Sequence, residues 1–401
     1  MGTSTPFMHY GNEWRQQRKW FQSAFQSKNT VQRYRPFHLR EARNLLSLLC
    51  ATPDAFMSHI KQYAGALMME VAYGQTVTSL DDEFLHLADT AMTATVEAGG
   101  AMTTLVDFLP IIKYWPTWLP GSGFRMNSMK TAKMLRKMLD IPYEKVKANV
   151  VAGSAKPSLM VSILEENVNI ESMTAEHVEN MKGAAAAVYG AGADTTIMSL
   201  STFILAMVLH PDIFLKAQAE VDRVIGGSRL PDFNDRDSLP YLECVLKEVY
   251  RWGCPVPLGI PHKLIEDDEY CGYYLPAGST VIANIWAMTR KAESYPDPER
   301  FWPERFEKVD TEAADLLDPR KLIFGFGRRT CPGRILGDSS VWIAAASILA
   351  TMDIRKARME TGEEILPELK FLAGIISHVA PFKCDIRLRP GKIVPQIGSS
   401  A

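Results

Sequence analysis

The chain has 401 residues, of which 47% are hydrophobic, and a formal net charge of −2. That length allows one large domain with a substantial core, and no linker is evident. Near-neutral charge without a lysine or arginine run gives no reason to expect a nucleic-acid partner. Six cysteines (Cys50, Cys244, Cys254, Cys271, Cys331 and Cys384) include no Cys-x-x-Cys pair, which argues against a zinc site or redox dithiol and suits a reducing compartment.

Met1 to Tyr10 carries neither a positive leader with an apolar core nor a spanning segment, so no signal peptide or anchor is expected there. Helical periodicity then dominates, with predicted helices at 14–26, 37–50, 56–73, 84–98, 126–148, 175–209, 211–225, 239–251 and 335–352. Between two of them, 108–119 is a proline-broken aromatic loop suited either to the interfacial zone of a bilayer or to packing on the core. The stretch 184–209 is apolar enough to span a membrane. Gly190, Gly192 and Asp194 at its middle favour a buried helix, since a central carboxylate in lipid costs roughly 2.5–3.5 kcal/mol. Strand signals are fewer: 270–275, Pro276-Ala277-Gly278 and 280–285 read as a short hairpin, and 371–387 has extended character. The expected fold is mainly α with a small β portion (α+β), without internal repeats.

Four short patterns carry candidate chemistry. Trp14-Arg15-Gln16-Gln17-Arg18 sets an indole N–H and a guanidinium one turn apart, where both can reach a single carboxylate. Ala191-Gly192-Ala193-Asp194-Thr195-Thr196 places a carboxylate beside a hydroxyl, a pair able to relay protons. Its glycines and hydroxyls are expected to loosen and widen the helix locally, although a self-satisfied polar interruption remains an alternative. Glu248-Val249-Tyr250-Arg251 puts opposite charges at i and i+3, which contributes only ~0.2–0.5 kcal/mol if exposed.

Phe324-Gly325-Phe326-Gly327-Arg328-Arg329-Thr330-Cys331-Pro332-Gly333 is the most specific of the four. It holds one cysteine in a glycine-bounded loop that opens into an apolar helix, whose positive end and free N–H groups favour a thiolate. Gly327 permits a sharp turn, Gly333 a close backbone approach, and Arg329 can answer an anionic group on a cofactor. A buried, unreactive cysteine is the plainer reading, which five specified positions in ten residues make poor.

Phe-x-x-Gly-x-Arg-x-Cys-x-Gly resembles the haem-binding loop of the cytochrome P-450 family of haem-thiolate monooxygenases. The resemblance runs from about His9 to about Arg387, and Pro-Leu-Gly-Ile-Pro-His-Lys and Tyr-Pro-Asp-Pro-Glu-Arg-Phe are similar to secondary-metabolism members from basidiomycete fungi. It implies a single cytochrome P-450-like domain over 1–401 around haem (heme, iron protoporphyrin IX), with Cys331 as the axial thiolate in a loop framed by Phe324 and Gly333. Asp194 and Thr195 become the acid-alcohol pair, and Trp14, Arg18 and Arg329 the propionate contacts. His262 resembles a further propionate donor, or is a surface histidine near a strand end. Glu248 and Arg251, with Arg305 of Pro303-Glu304-Arg305-Phe306, resemble the charge triad that braces the cysteine loop.

By the same resemblance, 254–260 and 372–377, with Val188 and Ala191, line an apolar substrate chamber, or simply pack a core. Arg15, Arg18, Lys19, Arg33, Arg35, Arg328 and Arg334 would attract an acidic electron-donor protein. The implied activity inserts one atom of dioxygen into an apolar small molecule, with electrons from an NADPH-dependent reductase. The implied location is the cytosolic face of the endoplasmic reticulum membrane, touched through 108–119; the expected lack of an anchor or signal leaves a soluble cytoplasmic protein as the alternative. The family's usual anchor, proline-rich hinge, first sheet strands and gating loop have no counterpart in this sequence, so the first strands are expected to be missing. Two other readings follow: a haem-binding pseudoenzyme without turnover, or a haem-thiolate isomerase or dehydratase, against which the Asp194-Thr195 pair argues.

Overall fold

Apolar residues at helical spacing put most of the chain into helices. In the computed structural model these are α1 (Asn12–Phe25), α2 (Lys28–Ala51), α3 (Phe56–Tyr73), α4 (Glu83–Ala98), α5 (Gly123–Val151) and α6 (Leu159–Glu165). They continue as α7 (Ala175–Leu209), α8 (Pro211–Ile225), α9 (Pro240–Gly253), α10 (Ile285–Met288), α11 (Arg320–Ile323) and α12 (Arg334–Thr351). The structure describes residues 3–26, 28–77, 79, 82–98, 109–116, 118, 122–166, 173–227, 229–307 and 315–392. They fall into two compact units, Met1–Ser27 with Gly65–Ala193, and Lys28–Ala64 with Asp194–Ala401.

In the first unit α1 buries a stripe of Trp14, Gln17, Trp20, Phe21 and Phe25 and packs on α6, while α4 packs on α5. Ser158 caps α6, its hydroxyl accepting from the Val161 N–H at 3.2 Å and so satisfying one of the helix's leading donors. The second unit is organised by α12, which is buried almost all round from Ser339 to Thr351 and packs against α2 and α8. Tyr63 ties the end of its first turns down, its hydroxyl donating to Ser340 O at 2.7 Å.

All the sheets are two-stranded and antiparallel among the described residues: β1 (His262–Lys263) with β4 (Thr280–Val281), and β2 (Asp268–Tyr270) with β3 (Tyr273–Leu275). The other two pair β5 (Met352–Lys356) with β8 (Cys384–Leu388), and β6 (Phe371–Leu372) with β7 (His378–Val379). Mainly α with a small β portion is therefore the architecture observed.

Three local expectations need correction. The hairpin turns at Cys271-Gly272 rather than at Pro276-Ala277-Gly278, because both residues take positive φ (51° and 80°), the two-residue geometry whose twist matches paired strands. Residues 280 and 281 pair instead with His262 and Lys263. Helix α2 begins at Lys28 and runs through Pro36, which was expected to precede it. Its packing on α12 offsets the hydrogen bond that the proline removes.

Helix α7 shows no local widening at Gly192-Ala193-Asp194-Thr195; it is regular α-helix from end to end. Gly192 serves close packing instead, since a Cβ there would lie 2.2 Å from Met68 Sδ on α3. Among the described residues α7 is also the one helix long and apolar enough to cross a bilayer, and 72% of its most apolar stretch is buried within the protein.

Candidate active site around the Cys331 loop

Left-handed backbone at Gly325 (φ 74°) and Gly327 (φ 55°) lets the chain after α11 double back. Gly325 N–H donates to Leu322 O at 3.0 Å, Thr330 N–H to Gly327 O at 3.2 Å, and Cys331 N–H to Phe324 O at 2.7 Å. The strap thus closes on itself, and the Phe324 carbonyl fixes the Cys331 amide. Cys331 is half-buried and directly precedes Pro332-Gly333, the lead-in to α12. The first N–H groups of that helix have no acceptor one turn earlier, which makes its start a favourable place for an anionic sulfur.

A Cβ at Gly327, Gly333 or Gly337 would meet nothing within 4 Å, so the loop and the first turn of α12 border open space. Burial lowers the pKa of the half-buried Arg329, an effect that a bound carboxylate would offset. A soft thiol, open space at the glycines and a half-buried guanidinium make a donor set that fits haem and its carboxylates.

Glu248, Arg251 and Arg305 come together in the second unit. Arg251 grips the Glu248 carboxylate with two N–H groups at 2.7 and 2.8 Å, and Arg305 Nε lies 3.2 Å from it. Their side chains are 0%, 0% and 4% exposed, deep enough that each charge needs its partners. The Trp302 N–H also donates to Glu248 Oε1 at 2.7 Å, and Arg251 donates to the carbonyls of Thr289, Pro298 and Arg300. Burial lowers the Arg305 pKa, while the Glu248 charge acts against that shift. The triad therefore pins the 289–305 segment to α9.

The remaining expected residues are distributed as follows. Trp14 and Arg18 meet on α1 in the first unit, the Arg18 guanidinium lying 5.8 Å from the Trp14 ring centroid. Asp194 and Thr195 are half-buried on α7, and Ser199 Oγ donates to Thr195 O at 2.8 Å. His262 is exposed on β1. Segments 254–260 and 372–377 are joined by a bond from Ser377 N–H to Pro255 O at 2.9 Å. Arg15, Lys19, Arg33 and Arg328 are exposed, whereas Arg35, Arg334 and Arg18 are half-buried. In 108–119, where 108, 117 and 119 lie outside the described residues, Ile111, Tyr114 and Trp118 are each more than three-quarters exposed (76%, 79% and 79%).

Two clusters escaped the sequence reading. In the first unit, fully buried Gln17 on α1 donates its amide to Asn180 O, Asn180 Oδ1 and Thr3 O at 2.9, 2.7 and 2.7 Å, pinning α1 to α7. In the second unit Arg236, Glu243, Arg320 and Asp338 close a ring of alternating charge. The contacts run 2.7 Å from Arg236 to Glu243, 3.1 Å from Glu243 to Arg320, 3.5 Å from Arg320 to Asp338 and 2.6 Å from Asp338 back to Arg236. This ring joins α9 to α11 and α12, the helices before and after the cysteine strap.

A model of the family described as Cytochrome P450 matches residues 2–381. Cytochrome P450 monooxygenase 176 of Postia placenta is 48% identical over 394 residues, covering 98% of this chain and 76% of that protein. Cytochrome P450 monooxygenase claT of Ampulloclitocybe clavipes is 40% identical across 97% of this chain and 77% of its own. Tryptamine 4-monooxygenase of Psilocybe cyanescens is 35% identical across 98% and 77%. The chain belongs to the cytochrome P450 family, and its relatives are monooxygenases of basidiomycete fungi. It is thus an oxidoreductase of a family that holds haem through a cysteine thiolate and uses dioxygen, an organic substrate and an electron donor.

Proposed function

We propose that this protein is a haem-thiolate monooxygenase that places one atom of dioxygen on an apolar small molecule of fungal secondary metabolism. The observation that carries this reading is the glycine-bounded strap that holds the Cys331 amide on Phe324 O at 2.7 Å, beside open space at Gly333 and Gly337. As part of it, residues 1–401 work as a single haem domain with Cys331 as the iron ligand. Haem, when bound, supplies the redox chemistry that activates dioxygen.

The chain's own groups have distinct tasks. Trp14 Nε1, Arg18, Arg329 and His262 donate to the haem carboxylates and set its orientation. The Asp194 carboxyl takes protons from solvent and the Thr195 hydroxyl passes them on, so that they arrive one at a time. Glu248, Arg251 and Arg305 hold the segment behind the cysteine loop in place, while 254–260 and 372–377 present an apolar wall that selects substrate by shape.

An NADPH-dependent reductase docks on Arg15, Lys19, Arg33, Arg35, Arg328 and Arg334. The exposed Leu109, Ile111, Tyr114, Trp115 and Trp118 rest on the cytosolic face of the endoplasmic reticulum membrane. Reconstitution tests this reading: turnover should require NADPH, reductase and dioxygen together, with one oxygen atom of labelled dioxygen found in product. Product formed without dioxygen would point to an isomerase or dehydratase. A haem-loaded protein that binds but never turns over a panel of apolar substrates would point to a pseudoenzyme.

A further inference from the structure

Three polar atoms near the charge ring have no hydrogen-bond partner among the described residues although they are buried: Tyr250 Oη, Asp338 Oδ1 and Trp342 Nε1. Tyr250 is 2% exposed and Trp342 0%, so solvent does not satisfy them from outside. Asp338 and Trp342 are one turn apart on α12 and share a face. Arg236 links them, bonding Asp338 Oδ2 at 2.6 Å while its guanidinium lies 5.5 Å from the Trp342 ring centroid.

Tyr250 stands two turns after Glu243 on the same stripe of α9, and helical side chains lean towards the N-terminus, which aims its hydroxyl at the ring that Glu243 helps to build. After burial, the Asp338 charge has the largest influence on that hydroxyl, and both hold the phenol well above its ordinary pKa, keeping it a neutral donor. The other side of the Tyr250 ring meets Phe324 edge to face, with centroids 6.2 Å apart. Phe324 is the residue whose carbonyl fixes the Cys331 amide.

We propose that Tyr250 Oη, Asp338 Oδ1 and Trp342 Nε1 enclose an ordered internal water, and that through it Tyr250 acts as a positioning residue for the Cys331 strap. Two donors and one carboxylate oxygen are the partners that such a water needs, and buried polar atoms of native proteins are rarely left unsatisfied. Tyr250 then has two tasks. Its ring backs Phe324, and its hydroxyl, fixed by the water to Asp338, keeps that ring from turning.

The consequence for the strap rests on the haem-ligand assignment of Cys331; the water site does not. Tyr250→Phe removes only the hydroxyl, Asp338→Asn keeps the shape, and Trp342→Phe removes the N–H. On the haem-loaded protein one would follow decay of the thiolate-type carbon monoxide band after reduction. Tyr250→Phe should decay about fivefold faster than wild type, a factor typical of one lost buried hydrogen bond. The Tyr250→Phe/Asp338→Asn double variant should be no faster than the faster single variant, because both remove one water. Equal decay in Tyr250→Phe and wild type, or rates that multiply in the double variant, would overturn the proposal. A high-resolution crystal structure gives the separate arm: density for a water within hydrogen-bond reach of Tyr250 Oη and Asp338 Oδ1 is expected, and a dry site or a direct bond between them contradicts it. If wild type never shows the thiolate-type band, the ligand assignment falls and the crystal structure alone decides the water.

Discussion

Two charge clusters flank α9 and follow opposite rules. Glu248, Arg251 and Arg305 are 0–4% exposed and make a closed set in which every guanidinium nitrogen has a carboxylate or carbonyl acceptor. Arg236, Glu243, Arg320 and Asp338 are 15–25% exposed, reach water, and leave Asp338 Oδ1 unmatched among the described residues. The first stakes stability on completeness, because a stranded buried charge is expensive. The second tolerates change, since water can replace a lost partner at its rim, and it suits a region that must hold a loop in place without locking the helices around it.

The largest consequence of that difference should appear on truncation. Glu248→Ala leaves two buried guanidinium groups uncompensated and should cost about 3–5 kcal/mol, read as loss of the folded, haem-retaining protein on expression or a collapsed denaturation midpoint. A loss below 1 kcal/mol would mean that the triad is not the buried set described. Next comes acid. His38 on α2 is fully buried, has no partner among the described residues for either ring nitrogen, and burial pushes its pKa down to about 3. It stays neutral in the fold while the unfolded chain takes up a proton near pH 6.5, so stability is complete above that pH and falls as pH drops towards 3. Between pH 6.5 and 5 the loss should be about 2 kcal/mol. His38→Gln should flatten that slope in thermal melts, and an unchanged slope would assign it elsewhere.

Gly192→Ala should cost about 1–3 kcal/mol, because the new Cβ would fall on Met68 Sδ and force that side chain to move. Pairing it with Met68→Ala should recover much of the loss, whereas additivity would show that the contact is not the cause. The smallest effect belongs to the outer ring: Glu243→Gln should change stability by only about 0.2–1 kcal/mol and shrink further at high salt, while the Glu248→Ala penalty should hardly respond to salt. Equal salt sensitivity of the two would erase the distinction between the clusters.

What could be read from the sequence was what is local. The Phe324–Gly333 loop announces itself because its turns depend on Gly325 and Gly327 and its neighbour is the next helix; no distant partner is needed to recognise it. The helices were legible for the same reason, with boundaries lost where packing overrides propensity, as at Pro36. The 270s hairpin was misplaced because Pro276-Ala277-Gly278 looks like a turn, while a left-handed Cys271 becomes visible only in the backbone. The Gln17–Asn180 network and the Arg236–Asp338 contact span 163 and 102 residues, and no spacing rule reaches that far. Glu248 and Arg251 lay between these extremes, a pair of small worth by spacing that becomes a core fixture only once burial is known.

Absorption of the reduced, carbon monoxide-bound protein tests the ligand assignment at Cys331 most directly. Wild type should show the shifted Soret band of a thiolate-bound haem, and Cys331→Ser, folded and supplied with hemin, should lack it while Cys254→Ser and Cys384→Ser keep it. A thiolate-type band that survives in Cys331→Ser would contradict the assignment of Cys331 and every role built on it.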